Sequence, residues 1–192
     1  MSMLFENVNE ANVARLRSRL VGASIMAVGG TAWIVVALIY WQNTPAWALP
    51  TAIVVGVALL GVCIARFLAT RRIRSVRSPT AAAADKRSHR RFLVVFAAEI
   101  VGIIVSANVL AYLGYPLWIP VAVALIVGAH FLPLARVFAA PIYYGTGTVS
   151  VLGVLGCLLI HDVAVRLLGV GLTMAVVLWI TSSLVLWRTR QG

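Results

Sequence analysis

The apolar residues of this 192-residue chain are grouped in blocks of about 20, the length that a helix needs to cross the hydrocarbon core of a bilayer. Hydrophobic residues make up 62% of the sequence and charged residues 11%, against roughly 45–50% and 25% in soluble domains. A transmembrane β-barrel would instead show alternating strands of about ten residues, and the blocks do not alternate in this way. The sequence therefore predicts an all-α integral membrane protein.

Six transmembrane helices fit these blocks. They are predicted over residues 20–41, 49–70, 92–113, 117–135, 141–161 and 164–187. The predicted organisation is a cytoplasmic or interfacial N-terminal segment (1–19), a membrane domain (20–187, with a basic cytoplasmic loop at 71–91) and a cytoplasmic tail (188–192). An interfacial helix is also expected over residues 3–20. Ser78 and Pro79 are expected to end an extension of the second helix, because proline disfavours helix at the residue before it, and Thr80 is expected to cap a further helix.

The basic residues of the chain lie mostly on one side of this six-helix arrangement. They are Arg15, Arg17 and Arg19 before the first helix, Arg71, Arg72, Arg74, Arg77, Lys86, Arg87, Arg90 and Arg91 between the second and third, Arg136 between the fourth and fifth, and Arg188 and Arg190 after the sixth. The opposite side carries only Arg166. Because Lys and Arg mark the cytoplasmic face, the pattern predicts that both termini are cytoplasmic. The predicted location is a cell membrane, as in a bacterial inner-membrane protein.

The charge pattern also predicts partners. Anionic lipid headgroups are expected to contact the basic loop through Arg71, Arg72, Arg74, Arg77, Arg87, Arg90 and Arg91. A net charge of +11 would favour nucleic acid in a soluble protein, but here the charges flank apolar blocks, so no nucleic-acid partner is predicted. A homo-oligomer or a membrane-protein partner is left open.

Glu99 lies deeper in an apolar block than any other carboxylate of the chain. An ionisable group in such a place is costly, which makes Glu99 a candidate functional residue. The third and fourth helices form a tight hairpin centred between Gly114 and Tyr115, and Glu99 and His130 each lie about 15 residues from that centre. In an antiparallel pair of helices, the two side chains are therefore expected at nearly the same depth.

The fifth helix brings further polar residues to a similar level. The resulting polar layer, a candidate ion- or substrate-binding site, consists of Glu99, His130, Tyr143, Tyr144, Thr146 and Thr148. Asn108, nearer the outer side, is expected to form a hydrogen bond between helices. The YYGTGT segment lacks the strand-then-helix setting of a dinucleotide fingerprint, so its glycines are expected to serve flexibility or close packing.

Two interpretations of the polar layer compete. In the first, Glu99 lines a cytoplasm-facing cavity and binds a proton, cation or cationic substrate, which would suit a small transporter or permease. In the second, the layer fastens helices together in an accessory or lipid-interacting membrane protein. An intramembrane enzyme ranks third, since no catalytic residues can be named. No cofactor motif is present, and the adjacent His161 and Asp162 do not supply the three or four ligands that zinc needs.

The segment HFLPLARVFAAPIYYGTG, residues 130–147, resembles a group of small uncharacterised bacterial multi-pass membrane proteins. These proteins carry a similar His-Phe-x-Pro-x-Ala segment that is followed by a proline and an aromatic pair. The matching positions are His130, Phe131, Pro133, Ala135, Pro141 and Tyr143. The resemblance covers about one helical hairpin and implies no mechanism, but it directs attention to His130.

Overall fold

The computed structural model describes residues 2–41, 44–71 and 79–188. These residues contain no β-strand and form six α-helices, namely α1 (Ser2–Tyr40), α2 (Ala48–Arg71), α3 (Pro79–Tyr112), α4 (Ile119–Val137), α5 (Ile142–Cys157) and α6 (Val163–Arg188). A 3₁₀ turn, Pro116–Trp118, joins α3 to α4. The predicted all-α class is confirmed.

Five of the helices contain a segment that is long and apolar enough to cross a membrane. The segments are Arg19–Tyr40, Ala48–Thr70, His89–Tyr112, Pro116–Val137 and Val163–Arg188. The α5 helix has 16 residues, which gives a length of about 24 Å against a hydrocarbon core of about 30 Å. The five long apolar helices indicate a multi-pass membrane protein.

The α5 helix ends earlier than the sequence predicted. Helix was expected up to residue 161, but residues 158–162 form a turn and irregular chain. The side chain of Asp162 accepts a hydrogen bond from the amide of Val165 over 2.8 Å and so serves as the N-cap of α6. Because Asp162 begins the next helix, the chain has to reverse its direction before that residue.

Two helices are much longer than a membrane is thick. With 39 and 34 residues, α1 and α3 measure about 58 and 51 Å. The helix expected over residues 3–20 is continuous with the first membrane-length segment. The helix that Thr80 was expected to cap begins at Pro79 instead, and it runs without a break through the third segment. Proline suits this position because the first turn of a helix needs no amide from it.

The most extensive interface in the bundle joins α1 to α6 in antiparallel orientation. Near one end, the buried Ser182 hydroxyl donates to the carbonyl of Ala23 over 2.9 Å. Near the other end, a Cβ added to Gly171 would lie only 2.8 Å from the backbone nitrogen of Ala37. Small residues at both contacts therefore let the two backbones approach closely, as is common between membrane helices.

The other helices pack around this pair. The α2 helix packs on α1, α5 packs on α4 and α6, and α4 also contacts α6. Within α4 and α5, Gly147 faces Gly128 so closely that an added Cβ would lie 2.9 Å from the Gly128 carbonyl oxygen. The expected close packing of the YYGTGT segment is therefore confirmed at Gly147.

The α3 helix packs along α4, and no residue of its most apolar 18-residue window is buried in the chain. It lies at the periphery of the bundle.

We predict that Gly171→Ala lowers the free energy of unfolding by about 1–3 kcal/mol, because the new methyl group meets the backbone of α1. Gly61→Ala is the matched control, since no atom lies within 4 Å of a Cβ at that position. Unfolding of the purified protein in mixed micelles by a denaturing detergent measures both effects. Equal stability of the two variants would contradict the close α1–α6 contact.

Candidate functional site

The hairpin of α3 and α4 sets the register of the candidate site. Gly114 adopts a positive φ of 80°, and the amide of Tyr115 donates to the carbonyl of Leu110 over 2.8 Å, which is the pattern of a Schellman C-cap. The chain then returns antiparallel to α3. At the far end of the hairpin, the rings of Phe92 and Phe138 lie 5.7 Å apart. The two helices thus remain in contact along their membrane-length segments.

Midway along this hairpin, the structure brings Glu99 and His130 into contact. The Nδ1 atom of His130 lies 3.3 Å from Oε1 of Glu99, and the two side chains are 16% and 9% exposed, respectively. The same Nδ1 atom lies 2.6 Å from the carbonyl oxygen of Val127. So short a distance to a carbonyl requires a proton on Nδ1, because two lone pairs would repel each other. Nδ1 therefore donates its proton to the Val127 carbonyl, and the Glu99 carboxyl group lies beside the imidazole at ion-pair distance.

This arrangement can bind and release protons. The imidazole donates through Nδ1 in either of its protonation states, while Nε2 gains or loses the second proton. The Glu99 carboxyl group lies close enough to form an ion pair with the imidazole when the carboxyl group is ionised and the imidazole is protonated. Both groups lie within membrane-length segments, and Glu99 sits on the peripheral helix. The pair therefore links α3 to α4 by a contact whose strength changes with protonation.

The buried polar contact of α5 is made with α6 rather than with this pair. The hydroxyl oxygens of Thr146 and Thr181 lie 2.9 Å apart and are buried. Thr146 also lies 3.0 Å from the carbonyl of Ile142, and Thr181 lies 2.8 Å from that of Val177. Each hydroxyl has one proton, so one threonine donates to the other, which in turn donates to its own carbonyl. Both hydroxyls are satisfied inside the bundle.

The remaining residues of the predicted polar layer have three different environments. Tyr143 is buried, and its hydroxyl lies against Gly22 of α1. Tyr144 is 42% exposed and accepts a hydrogen bond from Nε of Arg136 over 3.3 Å. Thr148 is exposed. In the part of the chain that the structure describes, the six predicted residues thus form separate contacts and not one hydrogen-bonded network.

The structure describes only some of the arginines that were predicted to contact lipid headgroups. Arg87, Arg90 and Arg91 are exposed near the start of the membrane-length segment of α3, and Arg71 is the last residue of α2. Arg72, Arg74 and Arg77 lie outside the described residues. Among the residues described, no cluster of three or more His, Cys, Asp or Glu side chains could hold a metal ion.

One expectation about polar residues was wrong. The Asn108 amide donates to the carbonyl of Ile104 over 2.7 Å, and the side chain is exposed on the surface of α3. It was expected to form a hydrogen bond between helices, but a carbonyl four residues earlier in its own helix is within reach. The sequence alone does not reveal which partner such a side chain selects.

Other contacts escaped the sequence analysis altogether. Arg17 donates to the carbonyl of Thr70 over 2.8 Å and so neutralises the C-terminal end of α2. The N-cap role of Asp162 could have been predicted from the sequence, because an aspartate directly before an apolar helix is a common N-cap. The hydrogen bond from Ser182 to α1 could not have been predicted, because a serine within an apolar helix can donate to a carbonyl of its own helix equally well.

A protein-family model described as a family of unknown function (DUF7010) matches residues 90–188, just over half of the chain. The match begins beside the membrane-length segment of α3 and ends at the last residue of α6. It therefore includes Glu99, His130, Thr146 and Thr181. No curated protein and no solved structure shows significant similarity to the chain.

We predict that Thr146→Val lowers the free energy of unfolding by about 0.5–1 kcal/mol, because it removes the hydrogen bond with Thr181 from the α5–α6 interface. Thr148→Val is the matched control on the exposed face of the same helix and should leave stability unchanged. Unfolding in mixed micelles checks both variants. Equal losses of stability would mean that the Thr146–Thr181 bond contributes nothing specific.

Proposed function

The chain belongs to the DUF7010 family of unknown function, and we propose that it crosses a cell membrane six times with both termini in the cytoplasm. The distribution of arginines supports this orientation, since Arg166 is the one basic residue on the outer side of such an arrangement. The antiparallel contact of α1 with α6 agrees with an even number of spans. The short α5 crosses with the help of the irregular residues that follow it.

Cysteine labelling tests this orientation. Ala46→Cys introduces an exposed thiol between α1 and α2, and Arg90→Cys introduces one at the opposite end of the bundle. The native Cys63 and Cys157 are buried, which keeps the background low. We expect a membrane-impermeant thiol reagent to label Ala46→Cys in intact cells and Arg90→Cys only after permeabilisation. The reverse pattern would contradict the proposed orientation.

We further propose that the protein is a small transporter or permease that uses the Glu99–His130 pair to couple movement of its substrate to a proton. The observation that carries the proposal is the contact of 3.3 Å between a carboxyl group and an imidazole inside membrane-length segments. Ionisable groups in such segments often mark proton and ion pathways. Here both groups can gain and lose a proton.

The location of the pair suggests how protonation could be coupled to a movement. The α3 helix packs on α4 and contributes no residue of its most apolar window to the buried core. It is therefore the helix whose displacement would disturb the fewest core contacts. When the charge state of Glu99 or His130 changes, the strength of the polar contact between the two helices changes with it. Alternate positions of α3 would then expose the pair to different surroundings.

A second candidate function is that of an accessory membrane protein that transports nothing. Two hydrogen bonds between helices favour it, because the Thr146–Thr181 and Ser182–Ala23 bonds hold helices together and have no need of a transported substrate. In this case the Glu99–His130 pair would only hold α3 in place. The two candidates differ in whether the protein moves protons.

Proton flux in reconstituted vesicles distinguishes these candidates. A pH-sensitive dye inside the vesicles reports the decay of an imposed pH gradient, with the membrane potential clamped. We expect the wild-type protein to accelerate the decay and Glu99→Gln to slow it by about tenfold, because the glutamine amide cannot take up and release a proton as the carboxyl group does. His130→Gln should act similarly, whereas His161→Gln, an exposed histidine outside the helices, should act as wild type.

Two results would contradict the transporter proposal. Wild-type vesicles that lose the gradient no faster than empty vesicles would favour the accessory protein. A wild-type flux that Glu99→Gln leaves unchanged would exclude the coupling role of this carboxyl group. Because glutamine retains the shape of glutamate, Glu99→Gln is expected to fold, and its elution profile in gel filtration verifies this.

A further inference from the structure

A small cavity lies at the end of the bundle where α1 and α6 meet the beginning of α5. Its volume is about 60 Å³, and its walls include Arg19, Ala140, Pro141, Tyr143, Val185 and Arg188. A single water needs about 10–15 Å³ of such space, so the cavity has room for several waters or for one tetrahedral oxyanion. None of the residues predicted from the sequence to contact lipid lies in these walls.

The two arginines come together because α1 and α6 are antiparallel. Ser182 bonds to Ala23, so Arg188 and Arg19, which lie one to two turns farther toward the same end, reach the same level on neighbouring helices. Both line the one cavity. Guanidinium groups stay charged at any physiological pH. Two like charges at one cavity repel each other, and an anion between them relieves that repulsion.

No carboxylate of the described residues provides this anion. Glu99 is engaged with His130 in the α3–α4 hairpin, and Asp162 caps α6 at the opposite end of that helix. Within the part of the chain that the structure covers, neither Arg19 nor Arg188 forms an ion pair. A negative group from outside the protein would therefore be bound by two charge-assisted contacts, for which the planar guanidinium is well suited.

The rest of the cavity favours a phosphate ester attached to a lipid. Ala140 and Val185 are 7% and 5% exposed and form an apolar wall beside the arginines. Pro141 and Ile142 begin α5 without a side-chain cap, so the positive end of this helix adds to the field of the arginines. Charge on one side and an apolar wall on the other match the boundary between a lipid headgroup and its glycerol and acyl chains.

We propose that this cavity binds the phosphate group of an anionic phospholipid, with Arg19 and Arg188 as its ligands. Basic pockets between membrane helices are a common form of such sites. This proposal is independent of proton coupling by the Glu99–His130 pair, which lies on other helices. It also differs from the expected contact of the basic loop with lipid, because here one headgroup occupies a defined cavity and is not held by diffuse attraction.

Lipid-dependent stability of the purified full chain tests the proposal. The midpoint of thermal unfolding is measured in neutral detergent during titration with short-chain phosphatidylglycerol, phosphatidylcholine or inorganic phosphate. A ligand that binds the folded protein raises this midpoint. We expect phosphatidylglycerol to raise it at concentrations at which phosphatidylcholine and inorganic phosphate have no effect. The double variant Arg19→Gln/Arg188→Gln should require about tenfold more phosphatidylglycerol.

The matched control is Arg90→Gln/Arg91→Gln, which removes the same charge from exposed positions on α3. Arg90 and Arg91 are themselves expected to attract anionic headgroups diffusely, so we expect this variant to weaken the response to phosphatidylglycerol much less than the Arg19/Arg188 variant does. An equal weakening in both double variants would overturn the proposal in favour of diffuse attraction. An equal response to inorganic phosphate would replace the lipid by a free anion, and an equal response to phosphatidylcholine would show that the anionic headgroup is not what is bound.

A second variant covers the case in which the glutamine pair fails to fold. Arg19→Lys/Arg188→Lys retains both charges but loses the planar donors that hold a phosphate through two hydrogen bonds. We expect it to weaken the response to phosphatidylglycerol by about threefold while the stability without lipid stays that of wild type. A response identical to that of wild type would exclude the proposed role of the two guanidinium groups.

Discussion

The close contact between α1 and α6 is the interaction on which the rest of this bundle depends. In hydrocarbon, two helices gain little from burying apolar side chains, so they associate where small residues let their backbones approach. Gly171 against Ala37 and Ser182 against Ala23 supply this approach at the two ends of the interface. The first and last helices of the chain are thereby joined. The α2 helix then packs on α1, while α4 and α5 pack on α6.

The polar side chains of the membrane-length segments follow from this arrangement. A polar group that faces hydrocarbon in such a segment needs a partner within the protein, because lipid tails offer no hydrogen bond. Helices of the buried centre find partners in each other, as Thr146 does in Thr181. Among the described residues, the α3 helix packs mainly on α4, and the carboxyl group of Glu99 pairs with His130 of that helix. A titratable contact therefore lies at the edge of the bundle, on a helix whose most apolar segment contributes no residue to the buried core.

The depth of a side chain within the bundle could be predicted by counting residues. The neighbouring helix or surface toward which the side chain is directed could not. Glu99 and His130 lie at equal distances from the Gly114 turn, and the rise per residue of a helix is constant, so their common level followed from the sequence. Thr146 and Thr148 were placed near the same level by the same argument. Only the first is buried against α6, since two residues along a helix turn the side chain by about 200°. Asn108 was likewise placed at the right depth but assigned the wrong partner.

The sequence by itself therefore determined that the chain is helical, where its apolar segments lie and on which end the arginines collect. Apolar blocks and charged flanks are local properties, and they need no knowledge of neighbouring helices. Only the tertiary structure decided which faces meet, because a helix that is apolar all round carries no stripe to orient it. The contact of Glu99 with His130 and the cavity shared by Arg19 and Arg188 both depend on this choice of faces.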